Sequence, residues 1–162
     1  MITKSLLKGI LLFISIISFA LVGAASAGEK KDAKISKQEA QQLALEHQTN
    51  GSNFDDAGKL KEAIEEYQKS LEYVSDDANT LFNLGVVYLK ANKAEDAAAT
   101  FEKLIKVSRD DVEGYNLLGI AYRGCGKEKE AKTAWEKSLK INPDQPKVKE
   151  MINDKVAATQ QQ

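Results

Sequence analysis

Residues 78–111 read ANTLFNLGVVYLKANKAEDAAATFEKLIKVSRDD, and the same pattern occurs once before and once after, at a fixed interval of 34 residues. Gly85 is matched by Gly51 and Gly119, Tyr88 by Phe54 and Tyr122, and Asn92 by Gly58 and Gly126. Ala97 is matched by Ala63 and Ala131, Phe101 by Tyr67 and Trp135, and Ile105 by Leu71 and Leu139. Glycine, alanine and aromatic slots that all coincide at one interval exclude chance and point to a repeat architecture.

Each interval reads as two helices. Leu81, Leu84, Gly85 and Tyr88 recur at i, i+3, i+4 and i+7, the spacing that gathers side chains on one helical face. Asn92 then breaks the helix; like Gly58 and Gly126, it can adopt the left-handed conformation that closes a helix C-terminus. A second helix carries Ala97, Phe101, Leu104 and Ile105 as one apolar stripe. The glycine of the first helix and the alanine of the second have a common cause. Two helices cross closely only where side chains are small, and the aromatics fill the space beside the crossing.

Helix-start chemistry separates the copies: Ser75-Asp76-Asp77, Ser108-Arg109-Asp110-Asp111 and Asn142-Pro143-Asp144. Ser36 and Glu39 form an S-x-x-E capping box, so the first helix is predicted to begin near Lys37 and to run to about Asn50. Beyond Pro146, the residues Val148, Met151, Ile152 and Val156 recur at near-helical spacing among charged neighbours.

The 34-residue helix–turn–helix period, with Leu84-Gly85, Tyr88, Ala97 and Phe101, resembles the tetratricopeptide repeat. The fullest match is the third copy, with Leu118-Gly119, Tyr122, Ala131, Trp135 and Pro143. The resemblance implies an all-α fold: a right-handed α-solenoid of three such repeats closed by a C-terminal capping helix. The expected organisation is a signal peptide over 1–27, a linker over 28–35, a first repeat with its N-terminal extension over 36–77, repeats over 78–111 and 112–145, and a capping helix and frayed tail over 146–162. The first copy departs most, with His47 opposite Leu81 and Tyr115 and Asn50 opposite two leucines, as suits a terminal repeat.

The N-terminus carries an address. Met1 to Lys8 holds two lysines and no acid, Gly9 to Val22 is almost wholly apolar, and Ala25-Ser26-Ala27 supplies an A-x-A site. That is the three-part secretory pattern, and its apolar run is shorter than the roughly 20 residues a spanning helix needs. Cleavage after Ala27 is expected, giving a periplasmic or secreted protein with no stable membrane insertion. Without Lys4 and Lys8, the 23 basic residues become 21 against 24 acidic ones, a net charge of −3 that leaves no nucleic-acid footprint. Cys125 is the only cysteine, so no intramolecular disulfide can form. It is expected to be a small residue near a helix end.

Little in the chain supports catalysis. His47 is the sole histidine and falls in a packing slot. No G-x-G-x-x-G, Walker-type loop or C-x-x-C occurs. The carboxylates suit solvated helix faces, as in Glu102 with Lys106 and Glu136 with Lys140 at i, i+4. Neither an enzyme, a cofactor nor a metal site is expected.

The resemblance further implies that the first helix of each hairpin lines a concave groove that binds protein segments. The matching positions are Gln48, Ser52 and Asp55 in the first copy, Asn79, Phe82, Asn83, Val86 and Leu89 in the second, and Glu113, Asn116, Ile120 and Arg123 in the third. Phe82, Val86 and Leu89 form a second apolar stripe beside the packing stripe. Phe82, Val86 and Ile120 are therefore expected to receive a partner, with Asn83 and Asn116 fixing an extended backbone, unless neighbouring repeats bury them. Some family members grip a C-terminal carboxylate with lysine, arginine and asparagine. Only Asn83 fits that scheme here, because Gln48, Glu113 and Leu117 occupy other slots it requires. The function expected is an exported interaction module, an adaptor or scaffold for a cell-envelope protein complex. The second reading is a structural solenoid that self-associates into a homo-oligomer.

Overall fold

The computed structural model describes residues 35–159. The signal segment, nearly all of the linker, the final glutamines and the side chain of Val156 lie outside the described residues. Seven helices follow one another: α1 (Lys37–Asp56), α2 (Leu60–Tyr73), α3 (Ala78–Lys90), α4 (Ala94–Val107), α5 (Val112–Gly124), α6 (Glu128–Ile141) and α7 (Pro146–Thr159). The described residues contain no strand. The first six helices pair as hairpins, α1 with α2, α3 with α4 and α5 with α6, and each hairpin packs on the next. The chain is an all-α solenoid.

The repeated glycines are explained by what lies on them. A Cβ on Gly51 would stand 2.8 Å from the Tyr67 ring, on Gly85 2.6 Å from Phe101, and on Gly119 2.2 Å from Trp135. The ring of each second helix therefore rests directly on the glycine of the first, instead of filling space beside the crossing. Ala63, Ala97 and Ala131 are each 0% exposed and bring the two backbones together.

The turns inside the hairpins are equally regular. Gly58, Asn92 and Gly126 have φ of 70°, 57° and 73°. The N–H groups of Lys59, Lys93 and Lys127 donate to the carbonyls of Phe54, Tyr88 and Tyr122 at 2.8, 2.9 and 2.8 Å, the closing bond of a left-handed helix stop. Each lysine ammonium then lies 5.8 to 5.9 Å from the ring of that same aromatic. The first helices are capped by side chains: Ser36 Oγ accepts from Glu39 N at 3.1 Å, Asp77 from Thr80 N at 2.7 Å and Asp111 from Gly114 N at 2.8 Å.

Two sequence expectations need correction. The first helix does not stop near Asn50; it runs unbroken for 20 residues to Asp56. Gly51 lies inside it because Tyr67 requires the space, which outweighs a helix penalty of about 1 kcal/mol for glycine. The charge pairing also differs. Glu102 accepts a 2.8 Å hydrogen bond from the Tyr122 hydroxyl, and Glu136 pairs with Lys132 at 3.7 Å.

The terminal copy has its own polar anchor. His47 Nδ1 donates to Glu66 Oε2 at 2.7 Å, and its ring stacks on Tyr73 at 5.7 Å between centroids. At the other end, Val148 of α7 is buried against Ala131 and Trp135, with Met151 and Ile152 beside it, so α7 covers the last hairpin.

Gly119→Ala is expected to destabilise the protein by about 2 kcal/mol, since overpacking against a buried ring outweighs the helix-propensity gain of about 1 kcal/mol. Gly51→Ala, with its wider 2.8 Å approach, should cost less. Urea unfolding followed by far-ultraviolet circular dichroism gives both values, and equal stability of the two variants would contradict the ring-on-glycine account.

The hydrogen bond from His47, followed by that from Lys69, holds the Glu66 carboxyl below its usual range. A carboxylate lowered in the folded state contributes stability that is fully present above its unfolded pKa and is lost as pH falls through the folded value. The stability gap between wild type and Glu66→Gln should therefore be constant above about pH 5 and shrink on acidification below about pH 4. Urea midpoints across that range measure it.

Candidate partner-binding groove

The first helices of successive hairpins touch one another, α1 with α3 and α3 with α5, which draws them together on the inner side of the curve. Between α1 and α3 lies a depression of about 390 Å³ lined by Gln48, Thr49, Ser52, Asn53, Asn79, Phe82 and Asn83. All of these but Phe82 end in an amide or a hydroxyl. Gln48, Ser52, Asn79, Phe82 and Asn83 are positions that the sequence assigns to the groove; Thr49 and Asn53 were missed. The available signal was that both are polar and sit one residue beyond assigned slots on the same helix.

None of the apolar groove residues is fully buried. Phe82, Val86 and Leu89 are half-buried against the larger core cluster, which runs from Ala63 in the first hairpin to Ala134 in the third, and Phe82 meets Phe101 edge to face at 6.4 Å between centroids. Ile120 packs on a different cluster, with Trp135 and Val148. The expected patch of Phe82, Val86 and Ile120 is thus divided between two cores.

The third-repeat positions are engaged within the molecule. Asn116 Nδ2 donates to Gln145 Oε1 at 2.6 Å, leaving Asn116 Oδ1 buried without a partner. The Arg123 guanidinium lies 5.0 Å from the Trp135 ring and donates to Met151 Sδ at 3.8 Å. Glu113 is exposed at the start of α5. In the first repeat Asp55 is likewise engaged: Lys90 Nζ donates to both of its carboxylate oxygens at 2.8 Å, bridging α1 to α3.

The two junctions between hairpins are built from different chemistry. At the first, Gln48 Nε2 donates to Asp77 Oδ1 and Thr80 Oγ1 at 3.1 and 2.9 Å, and the buried Ser70 hydroxyl, which donates to the Ala44 carbonyl inside its own hairpin, lies 3.3 Å from Thr80 Oγ1. At the second, the equivalent slots hold Phe82, Leu104 and Gly114, and Leu104 lies 3.1 Å from where a Gly114 Cβ would be. Gly124 also lets α5 close on Ala94, whose Cβ is 2.9 Å from the corresponding point. Both junctions hold a hollow besides the inner depression: one of about 500 Å³ at the first, floored by Leu60, Ile64, Tyr88 and Ala91, and a smaller one of about 250 Å³ at the second, between Ile105, Tyr115, Leu118 and Tyr122.

The remaining titratable groups belong to packing. Burial, then the hydrogen bond to Glu102, pushes the Tyr122 hydroxyl up to about 12. Cys125 caps the end of α5, half-buried, and burial followed by nearby Glu95 pushes its thiol up, away from the reactive thiolate form. Among the described residues, no group of three or more His, Cys, Asp or Glu side chains could hold a metal ion, and no helix is long and apolar enough to cross a membrane.

Known proteins resemble the chain in both sequence and fold. Family models described as TPR repeat or tetratricopeptide repeat match residues 51–92, 79–109 and 112–145, together more than half of the chain. The first TPR of Spaghetti (RPAP3) bound to the HSP90 peptide SRMEEVD is 23% identical with a TM-score of 0.68, covering 74% of this chain and 94% of that one. The C-terminal TPR-containing domain of a Plasmodium falciparum FK506-binding protein is 20% identical with a TM-score of 0.68, covering 80% and 98%. The second TPR domain of human RPAP3, in complex with the HSP70 peptide SGPTIEEVD, is 23% identical with a TM-score of 0.64, covering 74% and 97%. No protein of curated function matches the sequence. With its glycine, aromatic and alanine slots placed as the repeat requires, this chain belongs to the tetratricopeptide-repeat family of protein-interaction modules.

Proposed function

We propose that the protein is an exported adaptor, cleaved after Ala27, that holds a segment of a partner protein in its concave groove during assembly of a cell-envelope complex. The observation that carries the groove reading is the depression between α1 and α3, where Phe82 stays half-exposed on a helix that already buries Leu81, Leu84 and Tyr88. A helix needing only one packing face would place a polar residue at that slot. The solved relatives that carry peptides support the use of such a groove for binding. Export rests on the lysine-bearing start, the apolar run and the Ala25-Ser26-Ala27 site.

In this reading, Phe82, Val86 and Leu89 give the partner apolar contact, and Asn83 with Asn79 gives it hydrogen bonds. Glu113, Asn116, Ile120 and Arg123 form the far end of the groove, already engaged in part by α7.

Asn79→Arg combined with Asn83→Arg places two long side chains in the depression without touching the buried core. Surface changes of this kind should shift stability by no more than about 0.5 kcal/mol. Affinity capture from the native envelope fraction should recover the partner with wild type and lose it with the double variant; equal capture by both would move the binding surface elsewhere. N-terminal sequencing of the exported protein should begin Gly28-Glu29-Lys30, and recovery with Met1 in place would refute cleavage.

A further inference from the structure

The chemistry of the groove defines the kind of segment it can hold. A ligand carboxylate brought into a partly desolvated groove needs a cation, since an unpaired charge there is costly. Two cations at the inner ends of α3 and α5, Lys90 and Arg123, are engaged within the molecule. Lys90 is held by both oxygens of Asp55, and Arg123 lies on Trp135 with Nη2 against Met151. Glu113 stands exposed on the same face and repels an anion. The depression itself is lined by neutral groups, the amides and hydroxyls around Phe82.

The spacing of two of those amides suits a peptide backbone. Asn79 and Asn83 are one turn apart on α3, a rise of about 6 Å at 1.5 Å per residue. Alternate residues of an extended chain advance by about 6.7 Å. Each amide offers two donors and an acceptor, the complement of a peptide group. Two asparagines in this register can serve successive peptide units on one edge of an extended segment while Phe82, between them in sequence, meets a side chain.

We infer that the groove takes an internal, uncharged, extended segment of its partner, laid across α1 and α3, in place of a charged carboxyl terminus. This rests on the groove reading above and adds the ligand class. The Asp55–Lys90 bridge acts as the selectivity element: it joins the two helices and withdraws from the ligand the one lysine of α3.

The test uses the purified chain, immobilised, and three probes. One is a pool of octapeptides acetylated and amidated at their ends and built only from Ala, Ser, Thr, Asn, Gln, Leu, Phe and Tyr. The second is the same pool ending in two acidic residues and a free carboxylate. The third is the SRMEEVD peptide. Wild type should retain the uncharged pool at least about tenfold better than the Asn79→Arg, Asn83→Arg variant, the equivalent of one or two lost hydrogen bonds. Retention should be insensitive to salt, and SRMEEVD should not be retained. Asp55→Asn frees Lys90 and should raise retention of the acidic pool.

Preference of wild type for the acidic pool or for SRMEEVD overturns the inference, as does equal retention of the uncharged pool by wild type and variant. If the envelope partner is still lost on Asn79→Arg, Asn83→Arg substitution while the acidic pool is preferred, the groove reading stands and the ligand class falls. If partner capture is unaffected by that substitution, the groove reading itself falls.

Discussion

An aromatic ring lying on a glycine is the contact on which each hairpin depends. Tyr67 on Gly51, Phe101 on Gly85 and Trp135 on Gly119 set the approach of the two helices, and the buried alanines at 63, 97 and 131 let the backbones close. Because the ring is large and the glycine has no side chain, the pair has one arrangement in which both helices keep their rotamers. The rest follows locally. The helix stop at Gly58, Asn92 or Gly126 returns the chain at the distance that places the next ring on its glycine. A fold assembled from such self-contained crossings has few obligations outside them, so the residues on the inner face can vary without threatening the core.

The hairpins are identical in plan but are joined differently. The first junction relies on Gln48, Ser70, Asp77 and Thr80, whose hydrogen bonds contribute about 1 kcal/mol each because water competes for the same groups. The second relies on Leu104, almost fully buried, in a slot where serine stands in both other copies; burying such a side chain is worth about 2 kcal/mol. The last junction returns to serine: Gln145 Nε2 donates to Ser138 Oγ, and Asn116 donates to Gln145 Oε1. The solenoid thus has an apolar centre and hydrogen-bonded ends. The larger depressions lie at the first end, where polar side chains that must keep bonding geometry stand in place of a leucine pressed onto a glycine.

The period of 34 residues made the fold legible, since six slots repeating in chemical type are a direct record of crossings and turns. What stayed hidden depends on partners distant in sequence. The continuation of α1 through Gly51 could not be seen because glycine marks a turn as readily as a close approach, and only Tyr67 decides between them. Glu102 looked like a partner for Lys106 because i, i+4 spacing is visible within one helix, while Tyr122 arrives from the next repeat. The groove was read by slot, and slots do not say which side chains are already occupied. Arg123 and Asn116 have the right positions, yet α7 and its preceding turn engage them both. The serines at 70 and 138 were overlooked, though setting them beside Leu104 in the sequence would have shown that the junctions differ.

Likeness of fold therefore carries less than it first suggests about ligand. The helix arrangement of the solved relatives is reproduced, but a repeat scaffold fixes only where side chains point and leaves their chemistry free. A lysine on the inner face is an anion receptor when its ammonium is open, and a structural tie when a carboxylate holds it from two directions at 2.8 Å. Lys90 is in the second condition. The energy it could offer an incoming carboxylate is reduced by what must be given up to Asp55, and a half-exposed ion pair gains little from being exchanged for another of the same kind. Amides too can be engaged internally, as Gln48 is by Asp77 and Thr80, but their hydrogen bonds carry no net charge and are orientation-dependent. With Lys90 tied to Asp55 and the depression lined by neutral groups, the side chains of this groove differ in kind from an open set of cations on the same scaffold.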